Sequence, residues 1–103
     1  MTSEQVLDII LDEINSKFDI SNHHGVDLRK ALITPILQEY KSAIDKSQTF
    51  KLWTVLEETK NKNGYKIFYN DEENYFGLGI KSEKDELLYL GNYGTFLETL
   101  EGM

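Results

Sequence analysis

The spacing of the apolar residues changes near Thr49, and this change divides the chain into two parts. Before it, Val6, Ile10 and Ile14 recur at every fourth position, as they do on one face of a helix. After it, apolar and polar residues alternate in short runs, which is typical of half-buried strands. The length of 103 residues fits one domain. We therefore predict a single α+β domain over residues 1–103, with a helical part at 3–46, a sheet part at 49–94 and a terminal helix at 95–101.

The first helix is predicted over residues 3–18. Thr2 and Gln5 have the spacing of a capping box, in which two side chains satisfy backbone N–H groups at the start of a helix. Glu4 and Asp8 lie near the positive end of the helix dipole, where carboxylates are favoured. Pattern and cap therefore agree on where this helix begins.

Pro35 interrupts a second helical pattern, which starts near Val26. Proline disrupts a helix interior but is tolerated in the first turn, so Thr34 and Pro35 fit the N-cap and first residue of a third helix. That helix is predicted to run to about Lys46. A single kinked helix from Val26 to Lys46 is the alternative. The buried face of the third helix is predicted to consist of Ile36, Leu37, Tyr40 and Ile44.

Four strands are predicted in the second part of the chain, separated by turn signals. The strand segments read FKLWTVLEE, YKIFYN, YFGLGIK and LLYLGNY, and the turn segments read NKNG, DEEN and SEKDE. Short connections favour an antiparallel meander. The predicted fold is therefore α+β, with two or three N-terminal helices packed on a four-stranded antiparallel meander and a short C-terminal helix.

The net charge of −7 limits the classes of partner. Excess carboxylate repels nucleic-acid phosphates, so we expect no nucleic-acid partner, whereas a basic protein would be attracted. The chain contains no cysteine, which excludes disulfides and thiolate metal sites and fits a reducing compartment. It also lacks the run of ~20 apolar residues that a membrane span needs. We therefore expect a cytoplasmic protein with no membrane partner.

The glycine spacing in the segment GNYGT, from Gly91 to Thr95, resembles that of a phosphate-binding loop, but the segment lacks the other residues that such a loop needs. A P-loop needs a lysine before the serine or threonine, and a dinucleotide loop needs three glycines. Thr95 and Glu98 instead have capping-box spacing. We predict a glycine-permitted bend followed by a helix that Thr95 caps.

The segment FGLG leaves one face of a predicted strand bare at Gly77 and Gly79. Either a large side chain of the same protein packs there or a small ligand does. The candidate side chains for covering this face are Tyr69, Tyr75, Tyr89 and Tyr93. Intramolecular packing is the simpler interpretation, and a small hydrophobic groove is the functional one.

Other candidate groups do not converge on a catalytic or metal site. His23 and His24 are adjacent, so their side chains point in different directions, and a zinc site usually needs three or four convergent ligands. The paired carboxylates fall mostly in predicted turns, where Asp and Asn bond locally. We therefore predict no enzyme activity, no metal and no cofactor.

Carboxylates nevertheless gather at one end of the predicted sheet, because alternate turns of a meander share an end. Lys60, Lys62 and Lys84 dilute the charge there. We predict a non-enzymatic protein-interaction domain, in concrete form a bacterial immunity or antitoxin-type protein that neutralises a basic toxin. The predicted partner-binding residues are Glu57, Glu58, Tyr75, Asp85, Glu86 and Tyr93.

Two further possibilities follow from the same sheet. The first is a small-ligand-binding or regulatory domain with its pocket over Gly77 and Gly79. The second is a homodimer in which an edge strand from Phe50 to Glu57 pairs with its twin, although Lys51 and Glu57 would blunt such an edge.

Overall fold

The protein is a closed barrel of five strands with helices packed on its outside. The computed structural model describes residues 1–17, 28–45, 47–58, 64–82 and 84–102. In chain order the elements are helix α1 (Ser3–Glu13), the one-turn helix α2 (Leu28–Ala31), strands β1 (Leu32–Ser42), β2 (Thr49–Glu57), β3 (Tyr65–Asn70), β4 (Tyr75–Lys81) and β5 (Leu87–Gly94), and helix α3 (Phe96–Gly102).

Each strand pairs with the next in antiparallel fashion, and β5 closes the barrel by pairing with β1. Since neighbouring strands alternate in direction and their number is odd, the first and last strands run parallel. The closing pair is short: Lys41 lies opposite Leu88 and Ser42 opposite Tyr89. The barrel is thus joined along one side by two residue pairs, whereas the antiparallel pairs are longer.

The prediction of two or three N-terminal helices packed on a four-stranded meander is wrong. Residues 32–42 form strand β1 and not the predicted third helix, and the single kinked helix is wrong for the same reason. Ile36, Leu37 and Ile44, which were assigned to a buried helix face, are 51%, 48% and 100% exposed. The four residues of the predicted face have helical spacing, but Tyr40 is the one that is buried.

Pro35 is compatible with β1 because of where it lies in the strand. The Ser42 N–H donates to the Gln48 carbonyl at 3.0 Å, so even-numbered residues of β1 bond to β2 and odd-numbered ones point away. Pro35 lies just before this regular stretch, in the irregular segment between Leu32 and Ile36, where a missing N–H removes no bond from the regular ladder. Its carbonyl accepts a hydrogen bond from Ser3 Oγ at 2.8 Å, and a bulge lies between Leu32 and Ile36.

The first helix is confirmed in type, start and buried face, but it is shorter than predicted. Thr2 and Gln5 form the predicted capping box. The helix ends at Glu13, and Asn15 and Ser16 adopt left-handed backbone conformations with φ of 53° and 55°. The predicted final residue, at position 18, lies outside the described residues.

The four predicted strands are present as β2 to β5, and the terminal helix is present as α3. The dimer model for Phe50–Glu57 assumed an edge strand, and this assumption is wrong because β2 lies between β1 and β3. The predicted NKNG turn lies largely outside the described residues.

Apolar side chains form two separate cores on the two faces of the sheet. The outer core lies beneath α1 and α3, and it contains Val6, Ile10, Trp53, Ile67, Phe76, Phe96 and Leu100 among others. The inner core fills the barrel and contains Tyr40, Leu52 and Phe68, with Phe50, Tyr75, Leu87 and Tyr89 packed against them. The strands therefore carry apolar residues on both faces.

Candidate functional site

One end of the barrel is lined by charged and polar side chains. We call this end the mouth; its lining residues are Gln38, Glu57, Lys66, Lys81, Asp85 and Leu87, and they enclose a pocket of about 180 Å³. Glu57 lies opposite Lys66, and Lys81 lies opposite Leu87, so each pair shares the inner face of the sheet. Every strand contributes one side chain to the mouth, and Asp85 comes from the turn between β4 and β5.

Ion pairs join the charges at this end. Lys66 Nζ lies 3.0 Å from Glu57 Oε1, and Lys81 Nζ lies 3.4 Å from Asp85 Oδ1. The Lys66 side chain is 12% exposed, whereas that of Asp85 is 84% exposed. Lys66 is therefore largely withdrawn from water, whereas its partner Glu57, which is 45% exposed, and both members of the second pair are open to it.

A chain of hydrogen bonds leads from the mouth into the barrel. The Thr54 hydroxyl donates to Gln38 Oε1 at 2.6 Å, and the Tyr40 hydroxyl lies 2.5 Å from Thr54 Oγ1. Because Thr54 has one hydroxyl proton, Tyr40 is the donor in the second bond. Burial raises the pKa of Tyr40 to about 12, against a smaller opposing effect of its bond to Thr54.

We expect Tyr40→Phe to lower the free energy of unfolding by about 1 kcal/mol at neutral pH, because the bond to Thr54 is lost. The phenol also makes stability depend on alkaline pH. Between the unfolded value of 10.0 and about 12, the unfolded chain releases this proton while the folded protein keeps it. Stability from Tyr40 is thus complete below pH 10 and is lost as the pH rises towards 12.

Urea denaturation at neutral pH and through this alkaline range measures both effects. The free energy of unfolding should decline less steeply with rising pH in Tyr40→Phe than in the wild type. Tyr93→Phe, at a tyrosine 45% exposed, is the matched control and should decline as the wild type does. Identical slopes for Tyr40→Phe and the wild type would contradict the assignment.

The structure brings some of the predicted partner-binding residues together and separates others. Glu57 and Asp85 line the mouth. Glu86 pairs with Lys41 at 3.5 Å, and Glu58 Oε2 accepts a bond from the Tyr65 N–H at 3.4 Å. These carboxylates therefore all have partners within the protein.

The two predicted tyrosines lie away from the mouth. Tyr75 is half-buried at the opposite end of the barrel, where its hydroxyl accepts a bond from Asn70 Nδ2 at 3.3 Å. Tyr93 is exposed on β5, with its ring beside Gly102 of α3. The six predicted residues do not form one continuous surface.

The bare strand face at Gly77 and Gly79 is covered by side chains of the barrel interior. An added Cβ at Gly77 would lie 2.5 Å from Phe68 Cζ, and one at Gly79 would lie 2.6 Å from Tyr40 Cε2. Phe68 and Tyr40, and not the four candidate tyrosines, take the space. A ligand pocket directly over these glycines has no room inside the barrel.

At the bend from β5 into α3, the backbone N–H groups bind carboxylates of the protein itself. The Thr95 hydroxyl accepts a bond from the Glu98 N–H at 3.1 Å, and Glu98 Oε1 accepts one from the Thr95 N–H at 3.3 Å, which confirms the predicted cap. The Glu13 carboxylate accepts bonds from the N–H groups of Phe96 and Leu97 at 3.2 and 2.6 Å. Glu13 thus occupies the place where a phosphate would bind.

A surface that the sequence prediction missed lies on α1. Glu4, Asp8 and Asp12 are exposed and spaced four residues apart, so they follow one face of the helix. We call these three residues the acidic stripe. The four-residue spacing of these carboxylates in the sequence is the signal that could have located the stripe.

Charge is divided unevenly between helices and barrel. Helices α1 and α3 together contain six carboxylates and no Lys or Arg. The five strands contain four lysines and two carboxylates, and the one-turn α2 contains Arg29 and Lys30. Among the helices and strands, negative charge is thus concentrated on α1 and α3, and the turns of the barrel carry further carboxylates, such as Asp71, Glu72 and Glu73.

His23, His24, Lys60 and Lys62 lie outside the described residues. Within the described part of the chain, no three residues of the types His, Cys, Asp or Glu are placed to hold a metal ion. No helix in that part is long and apolar enough to cross a membrane.

Comparison with protein-family models, with curated proteins and with solved structures gives no match for this chain. The chemistry of the described residues is therefore what supports a function.

Proposed function

We propose that this chain is a small, acidic, non-enzymatic protein-interaction domain, of the immunity or antitoxin type, that binds and neutralises a basic toxin. The observation that carries the proposal is the concentration of carboxylates on α1 and α3. A surface of one sign attracts a partner of the opposite sign and speeds the encounter.

The acidic stripe is the part of this surface that we assign to the partner. Glu4, Asp8 and Asp12 are exposed, whereas Glu13 caps α3 and Glu98 takes part in the capping box. Successive stripe residues are separated by about 6 Å along the helix axis. That spacing suits lysine or arginine side chains on a facing surface, so the partner is expected to present a basic patch.

The proposal moves the partner-binding surface away from the barrel mouth. Glu57, Asp85 and Glu86 each form an ion pair with a lysine of the same chain. A basic partner would have to compete with those lysines for the same carboxylate oxygens. The stripe avoids this competition, because no ion pair to it is found among the described residues.

The test is co-expression with each open reading frame that neighbours the gene. We expect one neighbour to encode a basic protein that arrests growth, and expect this chain to relieve the arrest and co-purify with the toxin. The variant E4Q/D8N/D12N should weaken the complex by at least about tenfold and reduce its sensitivity to salt.

The matched control is E39Q/E72Q/E73Q, which removes the same number of charges at exposed positions outside α1 and α3. It should bind within about twofold of the wild type. Equal losses in both variants would show that net charge alone, and not the stripe, is responsible. Absence of a toxic or binding neighbour would contradict the immunity assignment itself.

A further inference from the structure

The charged mouth is unusual for so small a barrel. Barrels of this size are generally filled by side chains, and the middle of this one is filled by Tyr40, Phe68 and Tyr89. At the mouth, the layer above them includes Lys66 and Glu57 and leaves a pocket of about 180 Å³. The mouths of barrels are common locations for small ligands.

Lys66 carries the main physical argument. Its side chain is 12% exposed, and a charge withdrawn from water is costly unless several groups satisfy it. An ammonium group has three donors, and Glu57 Oε1 at 3.0 Å takes one of them. A second acceptor inside the pocket would therefore be bound by a group that has already lost most of its hydration.

The charges of the mouth balance. Lys66 and Lys81 face Glu57 and Asp85, so two positive and two negative groups surround the pocket. A simple anion would have to compete with the carboxylates, and a simple cation with the lysines. A ligand that carries both charges can satisfy both sets, because its carboxylate meets the lysines while its ammonium group meets the carboxylates.

We propose that the mouth binds a small zwitterion of the amino-acid class. The carboxylate of the ligand lies between Lys66 and Lys81, and its ammonium group lies towards Glu57 and Asp85. The pocket volume equals that of about six water molecules, which matches a molecule of this size. Gln38 is held in place by its bond from Thr54, so this wall of the site is preorganised.

This site is separate from the acidic stripe, and the inference does not rest on the proposed function. It is tested by NMR titration of the ¹⁵N-labelled protein with glycine, β-alanine and glutamine. Acetate and methylammonium, which carry one charge each, are the matched probes. We expect saturable shifts of the backbone amides of Gln38, Lys66 and Leu87 with the zwitterions, at dissociation constants of about 1–10 mM. The single-charge probes should bind at least about tenfold more weakly.

Variants at the mouth complete the test. Lys66→Met should weaken zwitterion binding by about tenfold, whereas Lys51→Met, at an exposed lysine away from the mouth, should change it by less than about twofold. If Lys66→Met does not fold, Asp85→Asn serves instead, because asparagine tolerates the left-handed φ of 61° at this exposed position. Asp85→Asn should also weaken binding. The proposal is overturned if no zwitterion gives saturable shifts, if acetate binds as tightly, or if the mouth variants bind like the wild type.

Discussion

Replacing Gly77 with alanine is expected to lower the free energy of unfolding by about 3 kcal/mol. The added methyl group would meet Phe68 Cζ at 2.5 Å on one side and the backbone carbonyl oxygen of Gly91 on the other. Phe68 is fully buried, and the carbonyl belongs to the neighbouring strand. Neither group can move aside without disturbing the barrel. The added methyl group therefore introduces steric strain into a well-packed interior. Urea denaturation followed by circular dichroism measures the loss.

Gly91→Ala is the matched control for this prediction. It lies on β5 opposite Leu78, and an added Cβ there would meet nothing within 4 Å. Its free energy of unfolding should stay within about 1 kcal/mol of the wild type. If Gly77→Ala and Gly91→Ala were equally stable, the interior packing described for Phe68 would be incorrect.

Replacing Glu13 with alanine is expected to cost about 2 kcal/mol, or roughly 10 °C in the melting temperature. Glu13 Oε1 and Oε2 accept bonds from the N–H groups of Phe96 and Leu97, so the last residue of α1 caps the first turn of α3. Hydrogen bonds to a charged group are stronger than neutral ones, and these join segments that are distant in sequence. Thermal unfolding monitored by circular dichroism measures the loss.

Asp12→Ala separates this contact from a general effect of charge. Asp12 is the neighbouring carboxylate and is exposed near the C-terminus of α1, where negative charge is unfavourable to the helix dipole. It should therefore cause no loss of stability. Glu13→Gln should fall between Glu13→Ala and the wild type, because the amide keeps one acceptor oxygen. A fully stable Glu13→Ala would refute the cap.

Local patterns predicted α1, β2 to β5 and α3, but not the closed barrel that they form. The capping boxes at Thr2 and Thr95 were recognisable from two residues each, and alternation located β2 to β5. The largest failure was at β1, where Ile36, Leu37 and Tyr40 have helical spacing in a strand. Tertiary pairing with β2 and β5 decides the structure there, and a pattern confined to one segment does not contain that information.

The candidate sites were predictable to a lesser degree. Meander geometry was sufficient to place Glu57 and Asp85 at the same end of the sheet. Their lysine partners were not predictable, because the pairing of Glu57 with Lys66 depends on a bulge that shifts the register between β2 and β3. The capping role of Glu13 likewise depends on how α1 and α3 pack together.

The short parallel pairing of β1 with β5, which we call the seam, affects the order in which the barrel folds. Hairpins such as β3–β4 join segments close in sequence, whereas Lys41 and Leu88 are separated by nearly half the chain. Loop-closure entropy must be overcome before that contact contributes any stability, so contacts of this kind form late. The four antiparallel strand pairs can assemble as an open, curved sheet, and the two residue pairs of the seam then complete the barrel. The mouth, which takes a side chain from every strand, exists only after this last step.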